Sequence, residues 1–199
     1  MSGALGLLLP LVACTAPAQT DDSAQAAPPV DTAAEALAAD DAAIRALDPA
    51  SLPAGAAPCA PVELVRVVRA VDGDTIYVAP DGGRTTRKVR LIGVDTPEIA
   101  HDDPAECWGD EAWAYTEQAL EGRLAWLTYD AECVDRYDRV LAYVHRGTGE
   151  DGFYNRRLIR EGQATALAVR PNTTFEAMLD ADERAARGAD RGLWGGCAR

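Results

Sequence analysis

Between Val62 and Val94 the chain alternates short β-branched runs with Asp-Gly turns, a pattern that leaves few ways to fold it. Val62 to Val71 is apolar and β-branched, Asp72-Gly73 supplies a hairpin signal, and Thr75 to Val78 resumes as a strand. Asp81-Gly82-Gly83 makes the next turn. Arg87 to Val94 follows with Val89, Leu91 and Gly93 alternating against Arg90, Ile92 and Val94, as a half-buried strand requires. The domain therefore opens with a three-stranded meander.

Trp108 to Leu120 has helical spacing, with Trp108, Ala112, Tyr115 and Ala119 on one side. Leu124 to Tyr129 and Val140 to Val144 read as two more strands, and Tyr154 to Arg160 and Thr174 to Arg187 as helices. Asn172 or Thr173 is the expected cap of the last helix, with Gly188 past its end. Five strands with a helix between the third and fourth follow the order of an OB barrel. The expected class is α+β: a five-stranded OB-fold β-barrel with about three helices, two of them C-terminal and packed outside it. A disordered N-terminal tether precedes it.

That tether is read from composition. Ala4 to Ala13 is a short apolar run, and Leu11-Val12-Ala13-Cys14 resembles a bacterial lipoprotein signal, in which the cysteine is lipidated. Residues 1–13 are the expected signal peptide. Residues 14–58 are the expected flexible linker, rich in Ala, Pro and Asp, with seven acids against one arginine after Cys14. Within it, Thr32 to Leu47 is expected to form a transient Ala-rich helix, with Leu37, Ile44 and Leu47 on one side. Residues 59–199 are the expected folded domain, exported and held at the cell envelope through the N-terminal lipid alone, as a monomer.

Export makes the other four cysteines, Cys59, Cys107, Cys133 and Cys197, disulfide candidates. Pairing Cys59 with Cys197 would staple the domain's ends and leave Cys107 for Cys133, but three connectivities satisfy the count. The net charge of −13 disfavours bulk capture of a polyanion, so any phosphate chemistry needs a local basic cluster or a bound cation. With two histidines and no C-x-x-C pair, a histidine- or thiolate-built zinc site is not expected.

Three segments concentrate charge where the apolar pattern breaks: Asp72-Gly73-Asp74-Thr75, Arg90 to Glu98, and Asp135-Arg136-Tyr137-Asp138-Arg139. Asp74 and Asp95 offer two carboxylates from adjacent strands, with a backbone carbonyl near Thr96 as a third oxygen for a hard cation. Arg90 and Arg139 are guanidinium forks suited to phosphate oxygens, and Glu98 suits general-base work on a water.

These segments also carry a resemblance. VVRAVDGDTIYV, VRLIGVDTPE, DRYDRVLAYV, the NRRLIREGQA helix, PNTTFEAMLDADERAAR and the closing GLW are together similar to the staphylococcal nuclease family, from about Val65 to Trp194. The resemblance implies an OB-fold endonuclease that uses one calcium ion to cleave DNA and RNA, leaving 3′-phosphate ends. It implies calcium ligation by Asp74, Asp95 and the carbonyl of Thr96, supported by Asp72. It also implies that Arg90 and Arg139 clamp the scissile phosphate, that Glu98 handles the attacking water, and that Arg136 and Tyr137 meet the neighbouring phosphate. The alternative is a catalytically silent OB module that binds nucleic acid or protein at the cell surface.

Two departures bear on this. Asp138 stands where the family's third motif has glycine, and Leu167 and Val169 stand where its best-known member has two tyrosines flanking the nucleotide. The loop after Ile99 is acidic, with His101-Asp102-Asp103, where a basic loop would help. Metal binding and chemistry survive these changes; substrate affinity is where they act.

Overall fold

The computed structural model describes residues 30–100 and 104–197. Five strands close a barrel in the order β1-β2-β3-β6-β5: β1 (Glu63–Ala70), β2 (Thr75–Pro80), β3 (Arg87–Leu91), β6 (Val140–His145) and β5 (Leu124–Thr128). All neighbours are antiparallel except β3 and β6, and β5 returns to β1 to complete the ring. The inward set is what the alternation requires. Val65, Val67, Ile76, Val78, Val89, Leu91, Ala125, Leu127, Ala142 and Val144 are buried, while Arg66, Tyr77, Lys88 and Arg90 stand on the outer side.

The expected third strand is divided. β3 ends at Leu91, and β4 (Gly93–Asp95) leaves the barrel to pair with β7 (Thr165–Leu167) as a separate two-stranded sheet. Gly93 makes the break with φ +80°, a conformation that side chains other than glycine's disfavour, and a Cβ there would strike Leu179. Asn155 ties the two halves together: its Nδ2 donates to the carbonyl of Ile92 at 2.8 Å, and its Oδ1 accepts from the Val144 N–H at 2.9 Å.

Helix α2 (Gly109–Leu120) lies between β4 and β5, as the spacing predicts. The single turn α3 (Gly149–Gly152) leads into α4 (Tyr154–Arg160); α5 (Glu176–Gly188) and the single turn α6 (Leu193–Gly196) close the chain. α5 starts later than expected, after Phe175. Asn172 is not its cap: its amide is taken up by the backbone of Glu132, through hydrogen bonds of 2.8 and 2.9 Å. The helix is fastened by packing instead, with Phe175 edge-on to Tyr143 and Phe153.

One expectation is corrected and one open question decided. The described part of the expected 14–58 linker is an ordered strap, beginning with α1 (Val30–Arg45). Ile44 and Leu52 are buried, and the indole N–H of Trp126 donates to the carbonyl of Ile44 at 2.8 Å. Asp41 pairs with Arg66 at 2.6 Å, Asp40 with Arg146, and Arg45 with Asp81 at 3.0 Å. The acidic charge of this segment is thus complementary to arginines on the barrel. Of the three connectivities left open, the structure has Cys59 bonded to Cys133 and Cys107 to Cys197. The strap runs along β5 and past it, with Gly55 N bonded to Tyr129 O and Cys59 N to Asp130 O, which delivers Cys59 to the Cys133 loop rather than to the C-terminus. Cys14 and the apolar run before it lie outside the described residues, as do His101, Asp102 and Asp103.

Candidate active site

The β1–β2 turn is built by its own side chains. Asp72 Oδ1 accepts the N–H of Asp74 at 3.0 Å, so Asp72 supports the turn that carries Asp74. Gly73 is required by close approach, since a Cβ there would sit 2.6 Å from the Thr96 side chain. Its carbonyl accepts from the Thr116 hydroxyl at 2.6 Å, which fixes the turn to α2. Pressed against the exit of β4 in this way, Asp74 accepts the N–H of Thr96 on Oδ2 at 2.9 Å and the Thr75 hydroxyl on Oδ1 at 3.0 Å.

Arg90 lies opposite Thr75 on β3, so its side chain rises on the same outer face. One terminal nitrogen pairs with Asp74 and the other with Asp95 at 2.8 Å. The carboxylates predicted to share one ion therefore do converge, with a single guanidinium between them. Burial raises the Asp74 carboxyl to about 6, overriding the opposing pull of Arg90, and the charge of Asp72 adds to the rise. Partial burial also raises Asp95, against Arg90 and with Asp74 contributing. Arg90 offsets part of that rise at both carboxylates, the buried Asp74 and the half-exposed Asp95, and two such hard oxygen donors side by side are chemically suited to a hard dication. With the Thr96 carbonyl they make three oxygen donors, fewer than calcium's usual six to eight, so water would complete the shell. Among the described residues no group of three or more His, Cys, Asp or Glu side chains offers a denser site.

Glu98 follows on an exposed loop whose base is clipped. The N–H of Glu98 donates to Glu106 Oε2 at 3.1 Å, and the N–H of Glu106 to the Glu98 carbonyl at 2.9 Å. Among the described residues its carboxylate makes no ion pair or hydrogen bond, which leaves it available to a water.

The third segment is organised by Asp135, which the sequence reading did not single out. Its Oδ1 accepts the N–H groups of Tyr137 at 2.9 Å and Arg139 at 3.0 Å, and its Oδ2 accepts Arg139 Nε at 2.7 Å. Burial opposes ionisation of Asp135, but the hydrogen bonds from Arg139 and Tyr137 hold its carboxyl below the usual range. The four-residue spacing of Asp135 and Arg139 was the available signal. Asp138 takes φ +59°, the conformation for which glycine is the usual choice, and Arg139 is engaged by Asp135 rather than by Asp138. Arg136 Nη2 donates to the Tyr137 hydroxyl at 2.6 Å, and its guanidinium lies over the Tyr137 ring.

Arg90, Arg139, Arg136 and Tyr137 line one cavity of about 550 Å³, together with Leu141, Leu167, Val169 and Asn172. Leu167 and Val169 do stand at this wall, presenting apolar side chains that are 40% and 61% exposed. Asp74, Asp95 and Glu98 are not part of the lining, so Arg90 is the residue that joins the carboxylates to the cavity.

A closed OB barrel with paired carboxylates on one side of an arginine, and on the other a cavity lined by three arginines and by Glu132 and Asp135, is the kind of arrangement that suits a phosphate ligand. The comparisons with known proteins agree. The staphylococcal nuclease homologue family matches residues 88–196, and the chain belongs to that family. It is 36% identical over 130 residues to the thermonuclease of Staphylococcus hyicus, covering 65% of this chain and 74% of that one. The thermonuclease of Staphylococcus intermedius is 36% identical over 129 residues, with 64% and 74% covered. Endonuclease YncB of Bacillus subtilis (strain 168) is 33% identical over 136 residues, with 65% and 61% covered.

Proposed function

We propose that this chain is a calcium-dependent endonuclease that hydrolyses phosphodiester bonds of DNA, RNA or both and leaves 3′-phosphate ends. Its membership of a nuclease family makes it a hydrolase of nucleic acid. The observation that carries the finer reading is Arg90, held by Asp74 and Asp95 while lining the same cavity as Arg139.

The scissile phosphate takes its place at the Arg90 end of the cavity, where Arg90 and Arg139 donate to its non-bridging oxygens. Fixed by Asp135, the Arg139 fork is oriented before substrate arrives, so little reorganisation is required as charge builds on the phosphorane-like transition state. Glu98 accepts the proton of the attacking water, the water oxygen bonds to phosphorus, and the bond from phosphorus to the 5′ oxygen breaks. Asp74, Asp95 and the Thr96 carbonyl would hold calcium, which when bound supplies a further positive charge to polarise a phosphate oxygen. Arg136 and Tyr137 meet the adjoining phosphate.

The apolar run ending at Cys14 supports export and envelope attachment through lipid, with the protein working as a monomer. The test of the mechanism is a nuclease assay on the whole chain with calcium, magnesium or chelator. Chelator should abolish cleavage, and Arg90→Ala, Arg139→Ala and Glu98→Gln should each lower kcat by about 10²–10³. Turnover indifferent to chelator, or equal in the variants, would remove the mechanism. Single-strand binding without turnover would establish the silent OB module instead.

A further inference from the structure

The outer face of β1, β2 and β3 carries a second cationic feature that the reaction centre does not use. In the ladder Arg69 lies opposite Tyr77, and Tyr77 lies opposite Lys88, so the three form one row across the sheet. Neighbouring strands are spaced by about 4.8 Å, which gives the row a backbone span of roughly 10 Å. A register irregularity between Val67 and Arg69 produces this alignment. In unbroken register Val68 would face Tyr77; the extra residue brings Arg69 there instead and leaves Val68 exposed.

Arg69 stacks on Tyr77, with its guanidinium carbon 4.5 Å from the ring centroid. Arg69 is exposed and Lys88 half-buried, and among the described residues neither joins an ion pair. The row is continuous with the candidate site in two directions. Lys88 and Arg90 point to the same face of β3, two residues apart. Arg139 immediately precedes Val140, the partner of Val89 on β6, and so adjoins the Lys88 end of the row.

We propose that Arg69, Tyr77 and Lys88 form a track for the single-stranded part of a polynucleotide that extends beyond the scissile phosphate. The inference rests on the nuclease reading and adds to it the surface that holds the strand beyond the scissile phosphate. The occupant follows from charge and shape. On a chain of net charge −13, a local run of unpaired cations leading to Arg90 and Arg139 complements a chain of phosphates. The stacked Arg69–Tyr77 pair offers a flat cationic surface to a base without reading its edges. Outer strand faces of OB barrels are suited to such a ligand because the sheet supplies a rigid, open platform.

The test uses the whole chain and two substrates, a long labelled oligothymidylate and a thymidylyl dinucleotide too short to run from the scissile phosphate along the row to Arg69. Binding of the long strand is read by fluorescence anisotropy in chelator, and cleavage of both is read in calcium. The double variant Arg69→Ala/Lys88→Ala should weaken long-strand binding about tenfold and lower the salt slope of log K by about 1.4, as loss of two phosphate contacts requires. Its kcat/KM on the long strand should fall in parallel, while cleavage of the dinucleotide keeps its rate. Arg184→Ala, an exposed charge removed from α5, should change neither. Equal losses on both substrates, an unchanged long-strand affinity, or the same effect from Arg184→Ala would overturn the track. Failure of the nuclease reading would show separately, as wild-type protein that cleaves neither substrate, with the anisotropy arm still reporting on Arg69 and Lys88.

Discussion

His145 on β6 is fully buried, and a neighbour determines its chemistry. The Thr128 hydroxyl donates its one proton to the carbonyl of Pro53 at 2.6 Å, so at 2.9 Å it can only accept from His145 Nε2. Nδ1 is then the bare nitrogen, buried with no hydrogen-bond partner. Adding a proton there would create a buried cation with an unsatisfied N–H, and burial accordingly lowers the pKa from 6.5 to about 4. The unfolded chain takes up this proton first, so stability is full above pH 6.5 and falls as pH drops toward 4. The loss approaches about 3 kcal/mol. Urea midpoints measured across that window for wild type and His145→Phe should diverge in slope, with the variant flatter; parallel slopes would contradict the assignment. Asp138 teaches a related lesson at the same scale. Its left-handed backbone is a place for glycine, and an aspartate can stand there because its side chain is short and its neighbour Asp135 already holds Arg139.

Each disulfide fastens an element that carries part of the candidate site. Cys133 stands two residues before Asp135, and its bond to Cys59 fixes the Arg139 segment to the end of the α1 strap. Cys107 follows Glu106, the residue that clips the Glu98 backbone, and its bond to Cys197 fixes that loop to the chain's last described residue. The bridges close long loops, with sequence separations of 74 and 90. Loss of either, by Cys59→Ser/Cys133→Ser or Cys107→Ser/Cys197→Ser, should lower unfolding free energy by about 2–5 kcal/mol. Urea denaturation of the pairs against wild type, with and without reductant, measures this. A midpoint unmoved by both the substitutions and the reductant would show that the loops are held without their bridges.

At the scale of the molecule, the strap changes where the barrel stands relative to its expected anchor. If residues 14–58 were a free linker, the barrel could range far from the membrane. With α1 packed on the barrel, fifteen residues separate Cys14 from Val30, a reach of at most about 58 Å even fully extended. The ion pairs from Asp40 and Asp41 place α1 against Arg66 and Arg146, away from the cavity that Arg90 and Arg139 line. The expected mature protein begins at a lipidated Cys14, and mass spectrometry of its N-terminal peptide should show the acyl mass on that residue. An unmodified Cys14 with the upstream residues intact would remove the anchor.

Local pattern determined much of this protein. Turn chemistry at Asp72-Gly73 and the period-two alternation specified the barrel strands, because those signals act between residues close in the chain. The charge-bearing segments marked Asp74, Arg90, Asp95 and Arg139 for the same reason, each interrupting an apolar run. Tertiary structure alone decided which cysteines pair, since three connectivities satisfy one count and the path of residues 44–59 along β5 selects among them. It also turned an Ala- and Asp-rich tether into a docked helix: the acids of α1 meet arginines of β1 and of the segment just after β6, distant in sequence. The row of Arg69, Tyr77 and Lys88 depends on a one-residue slip in pairing between strands, and register between strands is a property of the folded sheet.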